Sequence, residues 1–328
     1  MKNDQLTLLG GALNALRLPK IQSDRGLYVS GDQYLMLGSE KVEFVGLVQG
    51  LYPFTTFEFD HPTFSTSALA QSNDAFKAHY LSKGATFLDP DNYYIINGRH
   101  RIRIPTTGWY QIEAFGAGTE AGRGSHLTAV VFANEGEYLH MRLGHCGYRR
   151  GGAGATAVWI TETINTTPIA AMLVAGGAAA RSNAKIDLAS PGNAAAGPSW
   201  TPESGRYACG GASWNANASA PTTTPAQAFM YSTGNGGLAG TNVDEGGHGG
   251  GGQGSYTTSG YWCTGGGGGY TGGQGNFSTF ASVSTPFGVS GTSFISPLGE
   301  RVRSRESALA GLPYQMGKAI VTLLETID

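Results

Sequence analysis

Charge is scarce in this 328-residue chain. Asp, Glu, Lys and Arg make up 13% of it, about half of the roughly 25% usual in soluble domains, and the formal net charge is −2. With no excess of either sign, bulk attraction to nucleic acid or to an anionic membrane surface is excluded as the basis of function. Cysteine is nearly absent too: Cys146, Cys209 and Cys263 stand far apart with no CxxC pair. Neither a disulfide framework nor a zinc module is written into that spacing, and three buried reduced thiols are expected. No run of 18 apolar residues occurs, so there is no candidate membrane-spanning helix. The opening MKNDQLTLLGGALNALRLPK has Asp4 where a secretory signal needs positive charge, and Asn14 and Arg17 interrupt its apolar stretch. It reads as neither signal nor membrane span, and the chain is expected to be made in a cytosol.

Recognisable catalytic motifs are missing as well. Gly311–Ala319 has the wrong spacing for a phosphate loop, there is no GxSxG elbow and no HExxH, and GxGxxG matches fall only inside glycine runs, without a strand and helix around them. The expectation is a non-enzyme with no cofactor and no metal. Helical patterns are few. Ser67–Tyr80 has helical composition, and Leu6, Leu9, Leu13 and Leu16 fall at helical spacing, although Gly10-Gly11 weakens that segment. Residues 1–25 are therefore either a short helix or an extended anchor ordered by a partner.

Strand patterns dominate what remains. From 26 to 104 short period-two runs alternate with turn compositions, and Tyr93–Ile96, Asn97-Gly98 and Arg99–Ile104 form a hairpin sequence, since Asn-Gly supplies the positive φ angles of a type I′ turn. Further strands are predicted at Trp109–Phe115, Leu127–Ala133, Glu137–Leu143, Ala155–Thr161, Ala170–Ala175 and Lys318–Leu324. The fold class is mainly β, with little α-helix.

Glycine is abundant, at 52 residues, and 234–275 holds 20 of them in 42 positions. Such a tract ordinarily reads as flexible linker. Here glycines border nearly every strand, aromatic residues punctuate the runs, and the chain returns afterwards to a good strand at Ala319–Leu324. All three facts favour enclosure. Polyproline-II-like segments have three residues per turn and no internal hydrogen bonds, so they can be buried only if their amides pair between neighbours. Glycine removes the Cβ that would keep neighbours apart. Gly246, Gly247, Gly249, Gly250, Gly251, Gly252, Gly265, Gly266, Gly267, Gly268 and Gly269 are the expected structural glycines of this kind.

The blocks GWYQIEAFGAG (108–118), GEYLHMRLGHCG (136–147), GGAGATAVWI (151–160), PIAAMLVAGGAAA (168–180), GGGGGYTGGQG (265–275) and GKAIVTLLE (317–325) resemble, in order, the glycine-rich domain of anaplastic lymphoma kinase-type ectodomains and many bacterial and phage proteins. The resemblance covers about 105–328. It implies a β-sandwich similar to tumour necrosis factor with an inserted bundle of polyglycine-II helices, and organises the chain as anchor 1–25, β-rich region 26–104 and glycine-rich sandwich 105–328. Ala178-Ala179-Ala180 and the Ala/Asn/Pro-rich 181–227 depart from the pattern and are expected as edge loops. A looser likeness is to the polyglycine-II receptor-binding tips of T-even-type phage long tail fibres.

Two sets of residues are candidates for recognition. Tyr256, Tyr261, Trp262, Tyr270 and Phe277 offer flat rings beside backbone amides, either contacting a receptor or covering the lattice edge. Arg99, Arg101 and Arg103 share one strand face opposite His100, Ile102 and Ile104, and either hold a phosphate or carboxylate or form a solvated face. The expected function is a non-enzymatic phage tail or fibre-tip adhesin, located in the virion, that recognises host surface glycan or protein. Its N-terminal segment would join other virion proteins, as a homotrimer by fibre symmetry or as a single tip, with no nucleic-acid partner and no membrane insertion. A structural spike, baseplate or capsid-decorating protein and a bacterial cell-surface interaction protein are the alternatives.

Overall fold

The computed structural model describes residues 27–29, 35–37, 40–42, 51–163, 170–180, 182–191, 194–197, 199, 209–218, 226–228, 234–237, 243–256, 261–279, 288–310 and 312–327. The expected anchor, 1–25, lies outside them. The chain divides into two units between Gln49 and Gly50. In the first, β1 (Leu27–Val29), β2 (Leu35–Leu37) and β3 (Glu40–Val42) form an antiparallel meander, with Leu37 opposite Glu40.

The second unit is a mainly-β sandwich. One sheet, in the order β17 (Val302–Leu309), β8 (Ser125–Ala133), β7 (Gly108–Phe115), β18 (Lys318–Thr326), β4 (Thr56–Phe59), is antiparallel throughout. The other runs β16 (Phe294–Ile295), β11 (Leu173–Ala175), β10 (Thr156–Thr161), β9 (Tyr138–Arg142), β6 (Arg99–Arg103), β5 (Tyr93–Ile96), also antiparallel. Alternate residues point to a shared core, because side chains on a strand alternate between faces. Tyr110, Ile112, Ala114, Leu127, Ala129, Val131, Ala319 and Val321 of the first sheet meet Ile95, Ile102, Leu139, Met141, Val158 and Leu173 of the second. Since β4, β5 and β6 belong to these sheets, the boundary expected at 104/105 is corrected: the long-range pairing of β4 with β18 and of β6 with β9 carries the sandwich back to Gly50.

The hairpin at Asn97-Gly98 is present, with φ of 48° and 69° at its two central residues, the signs a type I′ turn requires. A single helix among the described residues, α1 (Asn73–Ser82), starts later than its composition suggests. Ser72 is its N-cap, and the Ser72 hydroxyl accepts from the Ala75 N–H at 3.2 Å. Upstream, Ser67 Oγ instead accepts from Leu69 N–H, and the Gln71 amide donates to Thr63 O, a local turn that competes with helix. Phe76 and Tyr80, one helical turn apart, are both buried, Tyr80 against Phe57, Phe59 and Tyr93 and Phe76 against Tyr80 and His100.

Glycine-rich segments leave the sandwich from one end. They follow β7, β9 and β11 and precede β8, β10, β16 and β18, and the register places all these strand ends together: Phe115 opposite His126 and Lys318, Arg142 opposite Ala157, Thr156 opposite Ala175, and Val174 opposite Phe294. Beyond that end the backbone amides pair between segments with a period of three. Gly265 and Gly268 donate to the carbonyls of Arg150 and Ala153, Gly266 and Gly269 to Cys209 and Ala212, and Gly267 to Val289. On a neighbouring segment Gly152 and Ala155 donate to Gly252 and Gly249, Gly151 and Gly154 to Tyr148 and His145, and Ala153 to Ala178. These amides return to the same neighbour every third residue, whereas those of a strand return every second. A Cβ placed on Gly152, Gly211, Gly266 or Gly268 would run into backbone atoms of another segment.

The edge-loop expectation for the alanines is therefore corrected. Ala178 is wholly buried and paired on both sides, to Ala117 and Ala153, and these three alanines touch, so their methyl groups fill a space shared among them. Part of 181–227 is also inside: Gly197 donates to Gly211, Gly211 to Gly273 and Ala212 to Gly250.

Candidate functional site

A small antiparallel sheet, in the order β12 (Val243–Asp244), β13 (Gly254–Tyr256), β14 (Tyr261–Thr264), β15 (Asn276–Thr279), grows out of the lattice. Its strand bases pair as Asp244 with Gly254 and Thr264 with Asn276, and each base continues into a glycine segment. The Gly265 N–H meets the carbonyl of Arg150, in the turn Gly147–Gly151 that is the lattice end farthest along from β9 and β10. The sheet thus begins where the lattice stops, on the side away from the sandwich.

Within the stretch expected as loop at 255–264, the residues of β13 and β14 are paired antiparallel strands of this distal sheet. Tyr256 lies opposite Trp262, Phe277 opposite Cys263 and Tyr261 opposite Thr279. The side chains of Tyr256, Tyr261, Trp262 and Phe277 lie outside the described residues. Tyr270 is a different case and is corrected as a receptor candidate. It is buried, and its ring stacks on Phe294 with centroids 4.1 Å apart and planes 12° from parallel. The reason is the layering: the glycine-rich insertion lies on the outer face of the second sheet, where Tyr270 and Trp214 join Ala157, Trp159, Val174 and Phe294 in a second apolar cluster.

The rest of that outer face is basic. Arg99, Arg101 and Arg103 do share it, with His100, Ile102 and Ile104 buried on the other side. The register adds residues that the spacing in β6 alone did not reveal: Arg142 opposite Arg99 and His140 opposite Arg101. Only the pairing of β6 with β9 could have found them. The face is not a freely solvated one, since Arg101 is 9% and Arg142 4% exposed. The Arg101 guanidinium stands 5.4 Å from the centre of the Tyr94 ring. Burial, with the Arg99 charge adding to it, pushes the Arg142 guanidinium down to about 9. His140 lies parallel to Trp159 at 5.3 Å, and its Nε2 is 2.7 Å from the Thr161 hydroxyl. Burial first, then the charges of Arg99 and Arg101, hold it neutral, at about 3. Among the described residues no carboxylate pairs with Arg99 or Arg103, so the row can receive an anion at those two positions.

A third cluster is buried between the 60–70 loop and the lattice. His145 is 4.6 Å from His61 and 5.3 Å from His248 between ring centres, its Nδ1 is 2.9 Å from the Ser67 carbonyl, and His100 packs edge-on against Phe76. Burial lowers all four imidazoles, His100 to about 3 and His145 to about 4. Among the described residues no group of three His, Cys, Asp or Glu side chains is in position to hold a metal ion. The three cysteines are buried and form no disulfide with one another, and burial raises the Cys146 and Cys209 thiols to about 12.

No protein-family model matches the chain, and no curated protein matches its sequence.

Proposed function

We propose that this chain is a non-enzymatic receptor-binding adhesin of a bacteriophage tail or fibre tip. In this reading the glycine segments are polyglycine-II helices, the sandwich is the base, and the distal sheet faces a host surface glycan or protein. The observation that carries the reading is the order of parts: sandwich, then a lattice paired every third residue, then a sheet whose strands all root in that lattice. A side-chain-free scaffold of this kind is costly in conformational entropy, because glycine loses more freedom on ordering than any other residue. Such a scaffold is reasonable where a rigid offset between base and tip is itself the purpose. The basic row on the sandwich flank gives a place for acidic groups of the receptor, and the N-terminal unit would join the protein to the rest of the virion.

Adsorption of phage carrying Trp262→Ala or Tyr256→Ala tests it. Adsorption to the host falls at least tenfold while particle yield and tail assembly stay normal. If particles fail to assemble, the protein is instead a structural spike or spacer, the reading that a rigid lattice also supports. Unchanged adsorption and assembly would remove the distal sheet from both roles.

A further inference from the structure

The turns at the outer end of the lattice bring together side chains that are far apart in sequence. Tyr314 donates its backbone N–H to Thr119 O, in the turn between β7 and β8, and Gly118 donates to Gln315 O. The Tyr314 ring lies 4.9 Å from that of Phe64, while Ser65 packs on Met316. Tyr148, at the tip of the turn between β9 and β10, lies near enough to act electrostatically on the Tyr314 phenol, as do Glu120 and Cys146. The Arg149 guanidinium sits 5.0 Å from the centre of the Tyr148 ring. These rings are exposed, Phe64 by 54%, Tyr148 by 38% and Tyr314 by 37%.

Backbone geometry marks the same place. Among the described residues only three that are not glycine have positive φ: Asn97 in its hairpin turn, Arg149 at 46° and Tyr314 at 55°. The conformation is natural for Asn in a type I′ turn and is strained for a bulky aromatic. Strain of this kind persists where the surroundings impose it, and it clusters at binding sites. Two such residues therefore stand in one exposed aromatic patch.

We propose that Phe64, Tyr148 and Tyr314, with Arg149 and Glu120 at their margin, form a saccharide-binding surface of the adhesin. The proposal rests on the adhesin reading and commits its patch to glycan rather than protein. Three exposed rings suit the flat apolar face of a pyranose, whose C–H groups pack on aromatic faces. One cation and one carboxylate at the rim supply a donor fork and an acceptor for hydroxyls, with no net charge to demand an acidic sugar. The turns that carry the rings are fixed by backbone hydrogen bonds to the lattice, so little freedom remains to be lost on binding.

The test uses the full chain on a printed array of bacterial capsular and O-antigen polysaccharides, with the best binder titrated by calorimetry. Wild type binds at least one polysaccharide. Tyr148→Ala and Tyr314→Gly weaken it tenfold or more, Tyr314→Phe stays within threefold, and Gly299→Ala, in the turn before β17 where a Cβ meets nothing within 4 Å, leaves it unchanged. Glycine accepts the positive φ, so Tyr314→Gly removes the ring while keeping the turn, and near-UV circular dichroism checks that each variant is folded. No polysaccharide bound by wild type, or equal binding by Tyr148→Ala and Tyr314→Gly, overturns the proposal. Phage adsorption separates the two readings. If Tyr148→Ala phage adsorbs normally and Trp262→Ala phage does not, the patch falls and the adhesin stands. If neither change affects adsorption, the adhesin reading falls, and array binding still judges the patch.

Discussion

Substituting Gly269 by alanine probes the lattice where backbone closes in on three sides. A Cβ there would stand 2.7 Å from each of Gly291 Cα, Thr292 N and Thr292 O, all backbone atoms that cannot swing aside. Ordinary contact begins near 3.4 Å, so the segments must part by about 0.7 Å. That displacement stretches the bond from Tyr270 N–H to Thr292 O, now 2.9 Å, beyond hydrogen-bonding range, and loosens that from Gly269 N–H to Ala212 O, now 3.3 Å. Overpacking costs about 1–3 kcal/mol, and each buried amide left unpaired about 1–3 kcal/mol more. The stiffer alanine in the unfolded chain returns only about 0.4–1 kcal/mol. Gly269→Ala is therefore expected to destabilise by roughly 2–5 kcal/mol, a large part of the 5–15 kcal/mol typical of a domain. Gly299 is the internal control: a Cβ there meets nothing within 4 Å and no positive φ opposes it, so Gly299→Ala is neutral or stabilising by up to about 1 kcal/mol. Urea unfolding followed by tryptophan fluorescence measures both. Equal midpoints for Gly269→Ala and wild type would refute the close-packed lattice.

Three further outcomes follow from the buried chemistry. Acid destabilises the protein through His61, His100, His140, His145 and His248: their folded pKa values lie below the ordinary value of about 6.5, so the unfolded chain takes up the proton first. Stability is full above that value and falls by about 1.4 kcal/mol per pH unit for each imidazole, continuing to about 4 for His145 and about 3 for His100 and His140. Urea midpoints that do not move between pH 7.5 and 5.5 would show that these rings are hydrated. A thiol reagent at pH 8 labels none of Cys146, Cys209 and Cys263 in the native protein and all three in urea, since all are buried; rapid native labelling, read by mass spectrometry, would count against the enclosure of the glycine segments. Glu137→Gln costs about 1.5–3 kcal/mol, because its carboxylate accepts both Arg301 Nη groups, at 2.9 and 2.7 Å, and the Asn134 N–H at 2.7 Å. A urea midpoint within error of wild type would show that this linkage of β9 to the β16–β17 turn is dispensable.

Local signals in the sequence carried the strands well and the layers poorly. The Asn97-Gly98 turn and the alternation in β7 and β8 are properties of neighbouring residues, and they lie where the pattern places them. β17 has no such pattern: of VRSRESAL only Val302 is buried, and the segment is a strand because β8 offers it an edge. Arg142 was hidden for a similar reason. Its own strand reads as an apolar one, and only the register with Arg99 makes it part of a basic row. Tyr270 misled because the direction of a ring in a glycine tract depends on how that tract pairs with its neighbours and on which layer lies above it. Neither is local. The same limit applies to Phe64 and Tyr314, 250 positions apart in sequence and in ring contact in the fold.

The lattice has a mechanical consequence. Its segments run from the sandwich end toward the distal sheet, and their hydrogen bonds lie across that direction, from Gly265, Gly266, Gly267 and Gly268 to three separate neighbours. A pull on the distal sheet directed away from the sandwich therefore loads many bonds in shear at once, rather than opening them one after another as in an unzipped hairpin. The assembly is stiff along the axis on which an attached particle would be tugged. A peeling force applied sideways at Thr264 meets the Gly265 bond first, and the same lattice should yield there at much lower load.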